Sequence, residues 1–243
     1  MYNSRRSSVR SPSEKDVLPQ NSLARITETC RRILGELPEG ISVLAAAKSR
    51  SVEEVQSAIQ GGIRRIGHNY LQEAEAMAGK VRDISLHMIG HLQRKKVPKA
   101  VDLFQRVETL DSLDLAQSLQ KRCEWVDVRL EVLVEVNIAR EQAKTGIVPE
   151  DLEEFLAALR IFDRLQVRGL MTMGPTSSDP EKIRPFFRAT RQTFDRLRSS
   201  GSAHLDMTCL SMGMSDSYRV AIEEGATQIR LGTALFGPRY GPR

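Results

Sequence analysis

Apolar runs alternate with amphipathic stretches along the chain from about residue 23 onward. The opening stretch, residues 22–37, has a helical pattern, and the run ISVLAAA at residues 41–47 is the first predicted strand. Ser51 and Glu54 have the spacing of a capping box, which predicts that a helix begins there, and Gly61-Gly62 predicts its end. Further strand-like runs, each followed by a helical pattern, are RRIGHNY, SLHMIGHLQ, RVETLDS, VRLEVLVEVNI, LQVRGLMTM, HLDMTCLSM and TQIRLGTALFG.

Strands that alternate with helices favour a parallel α/β fold. About eight such units in roughly 200 residues are the signature of a single-domain TIM (β/α)₈ barrel. An open doubly wound sheet is the structural alternative, but it usually has fewer strands and a ligand crevice at a switch point. We therefore predict a disordered N-terminal tail over residues 1–22 and one barrel over residues 23–243.

The N-terminal tail is rich in Ser and Arg and contains no apolar segment of the kind that a secretory signal needs. No run elsewhere approaches the length of a membrane span, so we expect a soluble protein without membrane contact. Cys30, Cys123 and Cys209 are far apart and lack CxxC spacing. This pattern argues against a disulfide framework or a structural zinc site and fits the reducing cytoplasm.

The formal net charge of +5 raises the question of nucleic-acid binding. Part of the charge lies in the tail, at Arg5, Arg6, Arg10 and Lys15, and the rest is spread over helices of mixed charge. Backbone binding needs clustered Lys and Arg, and an aromatic content of 5% leaves few stacking platforms. We expect no nucleic-acid partner, and an adaptor that uses the basic tail is the third-ranked hypothesis.

Functional residues of a barrel lie where strands end and βα loops begin. Lys48 directly follows the first predicted strand. A lysine in such a place commonly extends into solvent, but one at an apolar mouth is partly desolvated, which lowers its pKa and frees a nucleophilic amine. Its position alone leaves both interpretations open. Other side chains at predicted strand ends are those of Asn69, Tyr70, His91, Gln93, Asp111, Ser112, Asn137, Met171, Thr172 and Ser211.

Small residues follow the last two predicted strands: Ser211, Gly213 and Ser215 after the seventh, and Gly232 with Thr233 after the eighth. Barrels frequently bind phosphate with these two loops, because small residues allow close approach to backbone N–H groups. Two such loops opposite a first-strand lysine indicate a phosphorylated carbonyl ligand. The two loops together are stronger evidence for a phosphate site than a lone Gly-Thr pair is.

Arg230 lies on the eighth predicted strand, two residues before Gly232. If it points inward, it either forms a structural ion pair with Glu135 or a similar acid, or it donates to the nitrogen of a pyridine ring. An arginine does not give up its proton, so such a ring nitrogen stays unprotonated and the ring is a weak electron sink. The histidines invite a metal hypothesis, but His87 and His91 share a predicted strand face without a third ligand, so we expect no metal.

Several segments together resemble one known family, the pyridoxal phosphate homeostasis proteins. They are VLAAAKSRSVEEVQSAI, GHNYLQEA, HMIGHLQRKK, LVEVNIAREQAKTGI, RGLMTMGP and LSMGMSDSYRVAIEEGATQIRLGTALFGPR, which run in order from about residue 24 to residue 239. These proteins look like the barrel domain of alanine racemase, a fold type III pyridoxal phosphate (PLP) barrel, without its second domain. One departure is His68, where the family usually has a Glu before the Asn-Tyr pair.

The resemblance implies that PLP is the cofactor and that Lys48 forms a Schiff base with it. It also implies that Ser211, Gly232 and Thr233 hold the phosphate and that Arg230 faces the pyridine nitrogen. Asn69, His91, Met171 and Met214 would line the same mouth.

The leading functional hypothesis is an intracellular PLP carrier in vitamin B6 homeostasis, without catalytic residues. Its further partners would be apo forms of PLP enzymes and free amino acids. Few residues follow the eighth predicted strand, so no second domain is expected to supply a catalytic tyrosine, and a monomer is favoured. The alternative is an amino-acid racemase or related PLP enzyme, in which Tyr70 or Tyr218 would act as acid and base opposite Lys48.

Overall fold

The computed structural model describes residues 20–177, 179–202 and 204–238, and these residues form a closed barrel of parallel strands. The strands are β1 (Ser42–Ala46), β2 (Arg65–His68), β3 (Ser85–Met88), β4 (Arg106–Leu110), β5 (Leu130–Glu135), β6 (Leu165–Met171), β7 (Leu205–Ser211) and β8 (Gln228–Leu231). The helices are α1 (Gln20–Glu36), α2 (Val52–Gln60), α3 (Leu71–Met77), α4 (Val97–Leu103), α5 (Leu113–Trp125), α6 (Leu152–Ala158), α7 (Arg184–Ser199), α8 (Tyr218–Glu223) and α9 (Thr233–Phe236). Short 3₁₀ helices adjoin α4, α6 and α7 at Arg94–Lys96, Leu159–Ile161 and Pro180–Lys182.

The first and last strands close the ring. Leu44 of β1 lies in register with Arg65 of β2 on one side and with Arg230 of β8 on the other. An open doubly wound sheet would leave its outer strands unpaired, so the predicted (β/α)₈ barrel is confirmed. Because all strands run the same way, their carboxyl ends surround one mouth.

Alternation along the strands separates two environments. Outward side chains such as those of Val43, Ala45 and Ile66 pack with the helices in the main apolar core. Inward side chains are partly polar, since the carboxylate of Glu108 on β4 meets the amide of Gln228 on β8 across the interior. The ring therefore encloses charged groups that are almost completely shielded from water.

A glycine sets the register where β6 meets β7. Val167 pairs with Leu205 but Gly169 pairs with Cys209, so the ladder shifts between these pairs. Gly169 has φ of +150°, and a Cβ added there would lie 1.8 Å from the carbonyl oxygen of Cys209. The shift is a bulge that only glycine fits, and it brings the ends of both strands into register at the mouth.

The helix that follows β1 begins as predicted. The Ser51 side chain accepts from the backbone N–H of Glu54 at 3.2 Å, and the Glu54 carboxylate accepts from the N–H of Ser51 at 2.8 Å. The capping box is thus confirmed, and Gly61 is the residue at which α2 ends. This cap fixes the direction in which the chain leaves the mouth three residues after Lys48.

Two features differ from the sequence prediction. Helix α1 begins at Gln20, so residues 20–22 are helical rather than part of the tail, and residues 1–19 lie outside the described part of the chain. The shared strand face of His87 and His91 is also wrong, because β3 ends at Met88. His87 is buried on the strand, whereas the His91 side chain lies beyond it and is 58% exposed.

Three further features of the described residues concern the cysteines, membrane spans and metal sites. Cys30, Cys123 and Cys209 are buried and unpaired. No helix among these residues is both long and apolar enough to cross a membrane. In the same part of the chain, no group of three or more His, Cys, Asp or Glu side chains is arranged to hold a metal ion.

Candidate functional site: the barrel mouth

Lys48 lies at the mouth, two residues beyond the end of β1. Its neighbour Ala47 still continues the sheet by donating to the carbonyl oxygen of Gly67 at 2.9 Å, and it packs in the core outside the ring. The lysine side chain is half-buried, and its Nζ lies 5.3 Å from the ring centre of Tyr70. Within the described residues the amine forms no ion pair, so it remains accessible beside an aromatic ring.

A buried polar network lies inside the ring beneath the mouth. Glu108 is fully buried; His87 Nδ1 lies 2.6 Å from its carboxylate, and Gln228 donates to both carboxylate oxygens at 2.8 and 2.9 Å. The Ser211 hydroxyl donates to Glu108 at 2.9 Å and accepts from Arg230 at 2.8 Å. The network thus connects an anion on β4 to a cation on β8 through a serine.

Electrostatics favour charge on Glu108. Burial by itself would raise the pKa of its carboxyl, but the hydrogen bond from His87 and the attraction of His87 and Arg230 outweigh burial and lower the pKa to about 2. For Arg230 burial dominates and lowers the pKa of the guanidinium, while Glu108 and Glu135 oppose that shift. A fully buried arginine therefore depends on nearby carboxylates for its charge.

Arg230 is fixed by three contacts. In addition to Ser211, its guanidinium donates to the carbonyl oxygen of Thr172 at 2.8 Å and contacts the sulfur of Met173 at 3.5 Å. Within the described residues no direct ion pair joins it to Glu135, a pairing that was one of the two alternatives expected for Arg230 from the sequence. Glu108 is linked to Arg230 through the Ser211 hydroxyl, and Glu135 acts on the guanidinium only through its charge.

The loops after β7 and β8 are joined by a serine hydroxyl. Ser215 accepts hydrogen bonds from the backbone N–H groups of Gly232 and Ala234, both at 3.1 Å. Gly213 has φ of +91°, a conformation that favours glycine. Its carbonyl oxygen accepts a hydrogen bond from the backbone N–H of Arg230 at 3.0 Å. These small residues hold both loops close together with donors near the surface of the mouth.

Ser211 occupies a different place from the one expected of a phosphate ligand. Its side chain is completely buried, and its hydroxyl already has partners in Glu108, Gln228 and Arg230. The hydroxyl therefore supports the guanidinium in this structure, while Ser215 is the serine of that loop that reaches the amides. A phosphate role for Ser211 remains a prediction.

A cavity of about 310 Å³ opens on the β2–β6 side of the mouth. Three of the predicted site residues, Asn69, His91 and Met171, line it. The other predicted residues lie on the β1, β7 and β8 side or at its rim: Lys48, Ser211, Met214, Arg230, Gly232 and Thr233. The predicted set thus surrounds one mouth, but it divides into a lysine–arginine side and a cavity side.

Sequence reasoning overlooked the support beneath Arg230. Glu108 and Gln228 are strand residues, and the sequence signal for them was a polar residue inside the runs RVETL and TQIRL. A polar side chain in a strand buried on both faces needs an internal partner. That rule would have placed both residues inside the ring.

His68 is a further buried group near Lys48. Neither of its ring nitrogens has a hydrogen-bond partner among the described residues, and burial lowers its pKa to about 4. The nearest acid is Glu73, with one carboxylate oxygen 4.0 Å from His68 Nδ1 and the other accepting from the Ser49 N–H at 3.1 Å. The carboxylate next to the Lys48 loop therefore comes from α3 rather than from β2.

Comparison with known proteins gives a consistent result. The family model for the N-terminal domain of alanine racemase matches residues 22–240. The pyridoxal phosphate homeostasis protein of Aquifex aeolicus is 36% identical over 219 residues, which are 89% of this chain and 95% of the relative. The protein of the same name from Escherichia coli K12 is 33% identical over 210 residues, 84% of this chain and 88% of the relative.

Solved structures agree with the sequence relatives. PipY of Synechococcus elongatus PCC7942 superposes with a TM-score of 0.82 at 31% identity, covering 87% of this chain and 100% of PipY. A second PipY structure, with PLP bound, has a TM-score of 0.80 at 30% identity and the same coverage. Alanine racemase of Clostridium difficile 630 has a TM-score of 0.75 at 13% identity over 91% of this chain and 58% of its own, a likeness that shows the barrel fold alone. On the strength of the sequence matches, this chain belongs to the pyridoxal phosphate homeostasis protein family.

Proposed function

We propose that this protein binds PLP as a Schiff base on Lys48 and serves intracellular PLP homeostasis as a carrier. The observation that carries the proposal is the grouping of an accessible lysine amine, a fixed arginine and two small-residue loops around one barrel mouth. Membership of the family and the PLP-bound PipY structure support the choice of ligand.

The residues present fit the chemistry of PLP. Lys48 provides a primary amine for the aldehyde, and Arg230 is held rigidly enough to face a ring nitrogen. The backbone N–H groups of Gly232 and Ala234, which donate to the Ser215 hydroxyl in this structure, and the neighbouring Thr233 would be the donors for the phosphate. A Cβ added at Gly232 would make ordinary van der Waals contact with the carbonyl oxygen of Ala46 at 3.6 Å, so the loop is not crowded there.

Bound PLP would supply an aldehyde that condenses reversibly with primary amines. The chain's own residues would then hold that group, orient it and limit its side reactions. Arg230 cannot deliver a proton to the ring nitrogen, so the site is poorly suited to stabilising a carbanion. This property favours storage and exchange of PLP over amino-acid catalysis. The relatives, which are named as homeostasis proteins, support the same choice.

A racemase remains the second candidate, and the tyrosines decide how it would work. Tyr70 is the one of the two predicted tyrosines whose ring contacts Lys48. Tyr218 instead lines an outer groove with Ile33 and Leu37 of the α1 end. If the chain had racemase activity, Tyr70 would therefore be the acid–base group opposite Lys48.

The partners that we propose are apo forms of PLP enzymes, which would receive the cofactor, and free amino acids, which would exchange with Lys48. The cytoplasm is the proposed location, and three buried, unpaired cysteines are compatible with its reducing conditions.

A reduction experiment tests the Schiff base. Purified protein is titrated with PLP, followed by its visible spectrum, reduced with borohydride and mapped by peptide mass spectrometry. We expect a pyridoxyl adduct on Lys48, its loss in Lys48→Ala, and its retention in the matched control Lys95→Ala. A colourless protein after titration, or an adduct confined to another lysine, would contradict the proposal.

Turnover distinguishes the carrier from the racemase. Loaded protein is incubated with D- and L-amino acids, and chiral chromatography follows their interconversion. We expect background rates that are the same in Lys48→Ala. Turnover that depends on both Lys48 and Tyr70 would establish an enzyme instead.

A further inference from the structure

The cavity on the β2–β6 side contains a buried carboxylate. Glu135 at the end of β5 is 7% exposed and forms part of the cavity wall. One of its carboxylate oxygens accepts from the Thr145 hydroxyl at 3.1 Å. Much of the remaining wall is apolar, at Ile89, Val136, Ile138, Met171 and Met173. The cavity thus combines an apolar body with one acidic position.

Glu135 has no direct cationic partner in the described part of the chain. Burial raises the pKa of its carboxyl, Asp111 adds to that rise, and the charges of Arg230 and His91 oppose it. Arg230 is already bonded to Ser211 and to the carbonyl of Thr172. An isolated carboxylate in such surroundings is unfavourable unless a cation pairs with it.

The lysine closest along the chain is already engaged. Lys144 donates to the carboxylate of Glu141 at 2.7 Å and to the carbonyl oxygen of Gly174 at 3.0 Å. The first contact satisfies its charge, and the second fastens the loop over the β6 end. Lys144 therefore closes the cavity wall but does not neutralise Glu135.

The loop that covers the cavity is held by its own hydrogen bonds. The Asn137 side chain donates to the carbonyl oxygens of Glu141 at 2.9 Å and Lys144 at 3.3 Å, and it accepts from the Glu141 N–H at 3.1 Å. Ile147 then returns to bridge with Val136. A wall held in this way loses little entropy when a small molecule binds.

The cavity and the lysine share the mouth. Asn69 of the cavity wall precedes Tyr70, whose ring contacts Lys48. Met173, also in the wall, contacts the guanidinium of Arg230. A molecule in the cavity would therefore lie on the opposite side of the mouth from the loops after β7 and β8.

We propose that this cavity binds a small primary ammonium compound, amino acids included, with its ammonium group paired to Glu135 and its apolar part against Met171 and Ile89. The inference rests on the proposed function and deepens it, because it specifies the chemical class of amine that would bind next to Lys48 when PLP is attached to that lysine. A molecule of the same shape that lacks an ammonium group cannot form this ion pair with Glu135. The cavity volume of about 310 Å³ suits a ligand of amino-acid size.

The test separates binding from exchange chemistry. Full-length protein is loaded with PLP and reduced with borohydride, so that the lysine linkage no longer exchanges with amines. Calorimetry then measures three probes of similar shape: 3-methylbutylamine, L-leucine and 4-methylpentanoate. We expect the two ammonium compounds to bind and the carboxylate alone to fail.

Variants assign the binding to one carboxylate. Glu135→Gln keeps the shape and still accepts from Thr145, and we expect it to weaken amine binding about 10- to 100-fold, the range of one charge-assisted hydrogen bond. Glu150→Gln makes the same change at an exposed acid that pairs with Arg140 and should leave affinity unchanged. Glu135→Asp retains the charge and should keep the preference for amines, which provides a second variant if the glutamine protein does not fold.

The experiment distinguishes failure of the cavity assignment from failure of the proposed function. Reduction of PLP onto Lys48 without any binding of the amine would overturn only the cavity assignment. Equal binding of all three probes, or unchanged affinity in Glu135→Gln, would also overturn it. Failure of PLP to attach to Lys48 would overturn the proposed function itself.

Discussion

The guanidinium of Arg50 donates to the carbonyl oxygen of Gly237 at 2.5 Å and thereby joins the loop after β1 to the end of α9. The Arg50 side chain is almost fully buried, pairs with Glu54 at 3.0 Å and lies 5.2 Å from the ring centre of Phe236. Lys48 is two residues before this arginine, and Gly232 begins the segment that the arginine holds. The two proposed attachment points for PLP are therefore connected by one side chain.

This connection predicts a selective loss in Arg50→Met. PLP attaches through both its aldehyde and its phosphate, so it benefits from a fixed distance between the two loops, whereas pyridoxal lacks the phosphate. We expect PLP affinity to fall on the order of tenfold or more, and pyridoxal affinity to change much less. Absorbance titration with both compounds measures the difference. Equal losses for the two compounds would show that Arg50 acts on Lys48 alone, and Arg140→Met, at an exposed arginine, is the control.

The buried network beneath the mouth predicts a large loss of stability in Glu108→Gln. Removing the anion leaves Arg230 buried with Glu135 as its remaining nearby carboxylate and takes the acid from His87, and the loss of one partner from a buried charge pair costs about 3–5 kcal/mol in the free energy of unfolding. Denaturant unfolding measures this loss, and Glu150→Gln, at an exposed pair, should leave the free energy of unfolding almost unchanged. A loss as small as that of the control would mean that Arg230 does not depend on Glu108.

The same carboxylate predicts a specific acid dependence. Its folded pKa of about 2 lies below the ordinary value of 4.5, so its stabilising contribution is complete above pH 4.5 and is lost as the pH falls toward 2. Wild-type protein should therefore lose more stability across this interval than Glu108→Gln does. Unfolding free energies measured in steps between pH 5 and pH 2 give the comparison, and parallel curves would contradict it.

The buried His68 predicts a second, higher pH window. Burial lowers its folded pKa from 6.5 to about 4, so the unfolded chain takes up the proton first as the pH falls below 6.5. The folded state then loses up to about 3 kcal/mol between pH 6.5 and pH 4. His68→Gln should flatten the stability curve in this window. The ring-proton resonance of His68, assigned by its loss in that variant, should titrate near pH 4 and not near pH 6.5.

The bulge in β6 predicts that Gly169→Ala is severely destabilising. An added Cβ would overlap the carbonyl oxygen of Cys209, and the backbone at φ +150° is strained for any side chain. We expect a loss above about 3 kcal/mol, measured by thermal unfolding. Gly79 also has a positive φ, +76°, but no atom lies within 4 Å of its Cβ position. Gly79→Ala should therefore lose only about 1–2 kcal/mol, and equal losses at both sites would exclude the bulge explanation.

Much of the fold could be predicted because each unit carried its own local signals. The capping box at Ser51 and the alternation of apolar runs with amphipathic helices were sufficient to predict the barrel, and the parallel order then placed Lys48 and Gly232 at one mouth. The start of α1, predicted at residue 22, was misplaced by two residues because its first turn is polar and has no apolar periodicity. Helix ends of this kind depend on tertiary contacts.

The site was predicted less completely because its support is not local. Nothing in the vicinity of Ser211 in the sequence shows that its hydroxyl lies between Glu108 and Arg230, which are far from each other along the chain. Likewise the cavity acid Glu135 was considered only as a partner for Arg230. Its distance from other cations becomes visible only when β5 and β8 are placed in the same ring.

Pairing of β1 with β8 has a consequence for the order of events during synthesis. Lys48 emerges from the ribosome early, but Arg230 and Gly232 follow more than half a chain later, and the seam between the first and last strands forms only after them. A growing polypeptide therefore carries an exposed amine long before it has a place for the rest of the ligand. If PLP binds as proposed, its tight capture would be restricted to molecules that have finished folding, and colour from the bound ligand would report that the ring has closed.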